Sequence, residues 1–68
     1  PNQNLFEAAG LAALHAGKTK QAAELLDRSL ALPGAGWRSW NARAVAADRQ
    51  ADWATSDKAY RAALRLAP

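Results

Sequence analysis

The chain repeats its own pattern once, at an offset of 34 residues. The matched residues agree in size and chemical kind rather than in identity, and they include the pairs Phe6/Trp40, Gly10/Ala44, Gly17/Ala51, Ala22/Ser56, Leu26/Tyr60, Ser29/Ala63 and Leu30/Leu64. A period of about 34 residues built from two helical patterns is typical of helix-turn-helix repeats that stack into a solenoid, and most such arrays bind other proteins. The sequence therefore predicts an all-α fold of two antiparallel helix-turn-helix repeats.

Composition agrees with a small helical domain. The chain has 68 residues, of which 50% are hydrophobic, and Ala and Leu, both strong helix formers, dominate. A chain of this length makes one domain, residues 1–68, with a marginal core. Because it begins with Pro1 rather than Met, we expect it to be a segment of a longer protein. No apolar run approaches the roughly 20 residues that span a bilayer, so no membrane span is predicted.

Helix start and stop signals divide each repeat into two helices. The predicted helices run from Asn2 or Asn4 to about Ala16, from about Lys20 to Ala31, from about Trp37 to Gln50, and from just after Asp52 to near Leu66. Thr19 and Asp52 are the predicted N-caps of the second and fourth helices, and Gly17 is the predicted left-handed C-cap of the first. Repeat one then covers about residues 3–34 and repeat two about 37–68.

Helical spacing of apolar residues predicts the core. The predicted buried set is Leu5, Phe6, Ala9, Ala13 and Leu14 in the first helix, Ala22, Leu25, Leu26, Ser29, Leu30 and Leu32 in the second, Trp40, Ala44, Val45 and Ala47 in the third, and Ala59, Tyr60, Ala63, Leu64 and Leu66 in the fourth. Gly10 and Ala44 are expected to let the helices of each repeat approach closely. Trp37 and Trp53 are expected to be partly exposed.

These residues resemble the tetratricopeptide repeat family over essentially the whole chain. That family places a large aromatic residue early in the first helix, small residues where the helices cross, and a proline at the end of the repeat. The first repeat supplies Phe6, Gly10, Gly17, Ala22, Leu26, Ser29 and Gly34, and the second supplies Trp40, Ala44, Ala51, Ser56, Tyr60, Ala63 and Pro68. Arg43 stands where the family has Leu, and Ala13 and Ala47 stand where it has Tyr, which predicts a thinner core. The resemblance implies a right-handed α-solenoid fragment.

A narrower resemblance concerns the residues found in particular segments of the repeats. The segments 11–17, 40–48 and 59–64, together with Leu25 and Leu26, look like the bacterial tight-adherence (Tad/Flp) pilus-assembly repeat lipoproteins. That family implies a scaffold for pilus or secretion-system assembly in the bacterial envelope or periplasm; without this resemblance, the cytoplasm is the expected location. The lipid-bearing Cys of that family is absent from this segment.

The tetratricopeptide resemblance also implies where a partner binds. The first helix of each repeat lines a concave groove, which assigns to the groove Asn4, Glu7, Leu11, Leu14 and His15 from repeat one and Arg38, Asn41, Val45, Asp48 and Arg49 from repeat two. Asn41 is the leading candidate, because its amide can both donate to and accept from an extended peptide backbone. A solvated or capping Asn41 is the competing interpretation. We therefore expect a scaffold or adaptor that binds a protein or peptide, and that also self-associates through exposed terminal helix faces.

Other function classes have less support from the sequence. The net charge of +3 allows a basic nucleic-acid-binding module built on Arg38, Arg43, Arg49, Arg61 and Arg65, but acidic residues are interleaved with the basic ones. A purely structural spacer in a longer array is a third interpretation. His15 has no Cys or second His beside it, so we expect no metal site and no cofactor. No nucleophile with an adjacent base emerges, and an enzyme is not predicted.

Overall fold

The computed structural model describes residues 2–67 as four α-helices: α1 Gln3–His15, α2 Thr19–Leu30, α3 Trp37–Arg49 and α4 Trp53–Leu66. No strand occurs in that range, which confirms the predicted all-α class. Pro1 and Pro68, and with Pro68 the proposed end of the second repeat, lie outside the described residues.

The starts of the helices follow local capping chemistry in two cases out of four. Asn2, rather than Asn4, caps α1, because its Oδ1 accepts a hydrogen bond of 3.0 Å from the Leu5 N–H. Asp52 caps α4 as predicted, with its Oδ1 3.2 Å from the Thr55 N–H that donates to it. The prediction that Thr19 caps α2 is wrong: Thr19 is already helical, and Lys18 holds the cap position without a side-chain hydrogen bond.

The first helix of each repeat ends in the same motif. Gly17 has φ +79°, and the N–H groups of Gly17 and Lys18 donate to the carbonyls of Leu14 and Ala13. This is a Schellman C-cap, in which the left-handed residue costs least when it is glycine. The second repeat forms the same pair of bonds, from Ala51 and Asp52, although Ala51 must adopt φ 57°. The 34-residue repeat therefore extends to the turn geometry.

Each helix packs against the next one along the chain, and one further contact joins α1 to α3. The α2 helix contacts both α1 and α3, α3 contacts α2 and α4, and α1 also touches α3. The N-terminus of α1 lies beside the C-terminus of α2, since Gln3 hydrogen-bonds to Ser29. Thus α1 and α2 run antiparallel, and α3 packs across both of them.

Alanine, rather than the larger apolar residues, supplies most of the core. The buried hydrophobic residues are Ala13, Leu14, Ala22, Ala23, Leu26, Ala42, Ala44, Ala46, Ala47, Ala59, Ala62 and Ala63. Small side chains allow close backbone approach: a Cβ built on Gly10 would lie 2.7 Å from Leu26 Cγ and Cδ2. At Gly10 the backbone of α1 therefore lies directly against the Leu26 side chain of α2.

Several core predictions are wrong. Leu5, Leu64 and Leu66 are exposed, at 61%, 77% and 51% of their surface, and Ala9 is exposed as well. Trp40 is only half-buried, because it lines an open cleft between α2, α3 and α4. Trp37 and Trp53 are exposed, as predicted.

Candidate functional site

The residues predicted for the groove fall into three groups of burial. The exposed ones are Asn4, His15, Arg38, Asn41 and Arg49, the half-buried ones are Glu7, Leu11, Val45 and Asp48, and Leu14 is buried. The Leu14 side chain belongs to the core cluster, so no partner can reach it without unfolding α1. The half-buried residues divide further by what their side chains already bind.

Glu7 belongs to a polar cluster at the junction of α1, α2 and α3. Its Oε1 accepts hydrogen bonds from Ser39 Oγ at 2.7 Å and from Gln3 Nε2 at 3.3 Å. Gln3 Nε2 also lies 2.9 Å from Ser29 Oγ and 3.0 Å from Ser39 Oγ, and the two hydroxyls are 2.8 Å apart. Both serines are fully buried. We call Gln3, Glu7, Ser29 and Ser39 the polar cluster; it joins three helices and leaves Glu7 little freedom to bind a partner.

Asp48 joins α3 to α4 in a similar way. Its Oδ1 accepts a hydrogen bond from Ser56 Oγ, and its Oδ2 accepts one of 3.1 Å from the Tyr60 hydroxyl. Burial, followed by the hydrogen bond and the negative charge of Asp48, raises the pKa of Tyr60. Asp48 therefore holds the second repeat together rather than facing a groove.

The remaining groove candidates lie along two adjacent helices. Leu11 of α1 and Val45 of α3 occupy matching positions of the two repeats and pack partly exposed against the core cluster. Beyond them, Arg49 reaches from α3 to α1, where its Nη1 donates to the Leu14 carbonyl at 2.9 Å. His15 Nδ1 lies 2.9 Å from the Leu11 carbonyl. We define the α1–α3 surface as Asn4, Leu11, His15, Arg38, Val45 and Arg49.

Asn41 lies at a different place, the α3–α4 groove. This groove has a volume of about 390 Å³ and is lined by Trp37, Asn41, Tyr60, Ala63, Leu64 and Ala67. Its walls are mostly apolar, and Trp37 is itself covered in part by Arg38, whose guanidinium carbon lies 5.5 Å from the indole centroid. The sequence missed this groove because Leu64 was predicted to be buried.

Three of the arginines proposed for nucleic-acid binding are already engaged. Arg43 Nε lies 2.7 Å from Asp27 Oδ1, with only 13% of the Arg43 side chain exposed. Arg61 Nε lies 2.9 Å from Asp57 Oδ2, and Arg49 binds the Leu14 carbonyl. Phosphate contacts need accessible cations. The described surface therefore offers Arg38 and Arg65 as cations of this set without such a bond.

The cleft around Arg43 is a second concave feature. It has a volume of about 380 Å³ and is lined by Asp27, Leu30, Ala31, Trp40, Arg43, Thr55, Lys58 and Ala59. Arg43 Nη1 is buried there, without a hydrogen-bond partner among residues 2–67. Since no solvent reaches that atom, a ligand in the cleft would meet Trp40 and Lys58 rather than the buried nitrogen.

The described residues hold neither a candidate metal site nor a candidate membrane span. Residues 2–67 contain no group of three or more His, Cys, Asp or Glu side chains that could hold a metal ion. Within the same residues, no helix has the length and apolar character needed to cross a membrane.

Comparison of the chain with protein-family models, with curated proteins and with solved structures found no match.

Proposed function

We propose that this chain is a protein-interaction module that binds a peptide or helix on the α1–α3 surface. The observation that carries the proposal is the pair Leu11 and Val45, two partly exposed apolar side chains held on adjacent helices by the core cluster. An apolar contact fixed in place before binding loses little conformational freedom on association. Such a pair is suited to receive one or two apolar side chains of a partner.

The chemistry around this pair indicates the kind of peptide. Arg38 is an exposed cation, Arg49 holds its charge at this surface while its Nη1 donates to the Leu14 carbonyl, and His15 offers a further polar group beside Leu11. Charged groups at the edge of an interface influence the rate and selectivity of binding more than its affinity. We therefore propose a ligand in which apolar side chains are flanked by Asp or Glu.

A displayed random-peptide library provides the test. Peptides selected on the intact chain should lose about tenfold in affinity, equivalent to about 1.4 kcal/mol, on the variant Leu11→Gln. Leu25→Gln is the matched control, since Leu25 is also half-buried against the core cluster but lies on α2. Circular dichroism of both variants checks that the helices persist.

The outcomes separate the competing functions. Equal loss on both variants would attribute binding to general destabilisation, and failure to select any peptide would favour a structural spacer; either result contradicts the proposal. A labelled oligonucleotide whose binding falls steeply with salt would instead support the nucleic-acid module.

The pilus-assembly resemblance extends the proposal to a compartment. We propose a role in pilus or secretion-system assembly in a bacterial envelope, where a scaffold of this kind would hold components together. Fractionation of cells that make the protein should recover it with the periplasm or the membranes. Recovery with the cytosol alone would contradict this assignment and leave the peptide-binding proposal intact.

A further inference from the structure

The contact between the two repeats, which we call the internal joint, shows which residues a second contact of the same kind would need. In this joint, α3 packs across α2 and α1, with Ser39 in the polar cluster and Ala42 and Ala46 in the core. Moving each residue by 34 positions relates α1 to α3 and α2 to α4. In an equivalent joint, α1 would be the incoming helix, and α3 and α4 would form the surface that receives it.

The α1 helix presents the residues that this joint requires. Leu5, Ala8 and Ala12 match Ser39, Ala42 and Ala46, respectively, at the 34-residue offset. All three α3 residues are buried, whereas all three α1 residues are exposed, Leu5 at 61%.

The receiving surface is the α3–α4 groove. Tyr60, Ala63 and Leu64 match Leu26, Ser29 and Leu30, which lie in the repeat that α3 covers. Leu26 and Ser29 are fully buried and Leu30 is half-buried, whereas Tyr60 is half-buried and Leu64 is 77% exposed; Ala63 is buried within its own repeat. The groove is thus the uncovered counterpart of an interface that already exists within the chain.

The two joints differ in the polarity of the residues at matching positions. Ser39 hydrogen-bonds to Gln3, Glu7 and Ser29 inside the chain. We call the corresponding contact of an incoming α1 with the α3–α4 groove the outer joint. There, Leu5 takes the place of Ser39, and Trp37 and Ala63 take the places of Gln3 and Ser29. Two polar pairs are thus replaced by apolar ones, whereas Asn41, which lines the groove, takes the place of Glu7 and keeps a polar group at this point.

Charges are compatible with the same arrangement. The internal joint includes the ion pair of Arg43 with Asp27, whose counterparts are Ala9 and Arg61. Arg61 already pairs with Asp57 on its own helix at 2.9 Å. An incoming α1 therefore brings no charge onto an unpaired one at this point.

We propose that the α3–α4 groove binds α1 of a second copy of this chain, head to tail, in the register of the internal joint. The contact is heterologous, since one copy contributes α1 and the other contributes α3 and α4. Contacts of this kind leave a free face at each end, and they extend to longer assemblies unless the rotation closes a ring. The peptide-binding proposal rests on Leu11 and Val45, which are not among the residues that line the groove.

Sedimentation of the 68-residue chain from micromolar to millimolar concentration tests the proposal. The average mass should rise continuously past that of a dimer. Leu5→Glu removes the α1 face and Leu64→Glu removes the groove, and each variant alone should remain monomeric. Both positions are exposed, so neither change should unfold the chain. Ala54→Glu on α4 is the charge-matched control, since Ala54 and its counterpart Lys20 are both exposed, and it should assemble like the parent.

Mixing the two defective variants tests the polarity of the contact. The Leu5→Glu protein retains an intact groove and the Leu64→Glu protein retains an intact α1, so an equimolar mixture should form a 1:1 dimer that grows no further. A parent chain that stays monomeric at every concentration would overturn the proposal. It would also be overturned if the mixture failed to pair, or if Ala54→Glu abolished assembly as completely as Leu64→Glu.

Discussion

Replacing Gly10 with alanine should destabilise the fold, although alanine favours helices over glycine. Gly10 lies inside α1 and is buried, and a Cβ there would come within 2.7 Å of Leu26 Cγ and Cδ2. Ordinary contacts between carbon atoms are about 3.5–4.0 Å. Leu26 is fully buried, so it has no open space into which it can turn.

Two opposing effects determine the magnitude. Overpacking a core typically costs about 1–3 kcal/mol. Against this, alanine gains about 1 kcal/mol over glycine in a helix interior. The free energy of unfolding should therefore fall by about 1 kcal/mol, which corresponds to a decrease of roughly 4–8 °C in Tm for a domain of this size.

A double-mutant cycle with Leu26→Ala isolates the clash. Leu26→Ala alone should cost about 2–5 kcal/mol, so all four proteins are compared in the same sucrose concentration, which favours the folded state. In the Leu26→Ala background, the methyl group that Gly10→Ala adds enters the space that Leu26 leaves, and Gly10→Ala should become stabilising. Thermal unfolding followed by far-ultraviolet circular dichroism measures each Tm. If Gly10→Ala raised Tm equally in both backgrounds, the close approach of α1 and α2 would be refuted.

Three further changes act at other positions. Gly36→Ser should stabilise α3 by about 0.5 kcal/mol, since Gly36 is its N-cap, has an ordinary φ of −104° and makes no side-chain cap bond; an unchanged Tm would contradict this. Ser39→Ala should cost about 1–3 kcal/mol by breaking the polar cluster, and urea unfolding should show that Ser29→Ala combined with it costs less than the sum of the single changes; strict additivity would argue against a shared network. Hydrogen bonds from Thr55 lower the pKa of Asp52, so its contribution to stability is present above the ordinary aspartate pKa and is lost as pH falls through the lowered value. The Tm of the parent should therefore fall more steeply with acid than that of Asp52→Asn, and parallel pH profiles would contradict this.

Local features of the sequence predicted the helices better than the core. Gly17 and Asp52 act within one turn of their own helix, so their roles follow from neighbouring residues alone. Thr19 has the right chemistry for a cap, but the Schellman turn at Gly17 and Lys18 brings the chain into α2 one residue earlier than the predicted Lys20 start. The difference was decided by the preceding helix end, which the capping rule does not consider.

The core and the site depended on contacts between distant residues. Trp40 was predicted to be buried from its helical spacing and its match to Phe6, whereas most of the buried hydrophobic residues are alanines. Glu7 and Asp48 have the polarity of binding residues, yet their partners include Ser39, which is 32 residues from Glu7, and Tyr60, which is 12 residues from Asp48. No pattern of spacing within one helix could reveal those bonds.

The polar cluster affects whether copies of the chain exchange helices with one another during folding. The α1 and α3 helices match each other at the 34-residue offset, so α1 of a neighbouring molecule could compete with the chain's own α3 for the face of α2. A competing α1 would place Leu5 where Ser39 lies, so Glu7 and Ser29 would each lose one hydrogen bond, and a hydrogen bond contributes about 0.5–1.5 kcal/mol to stability. Ser39 thus makes exchange of helices between molecules unfavourable, and each chain keeps its own α3.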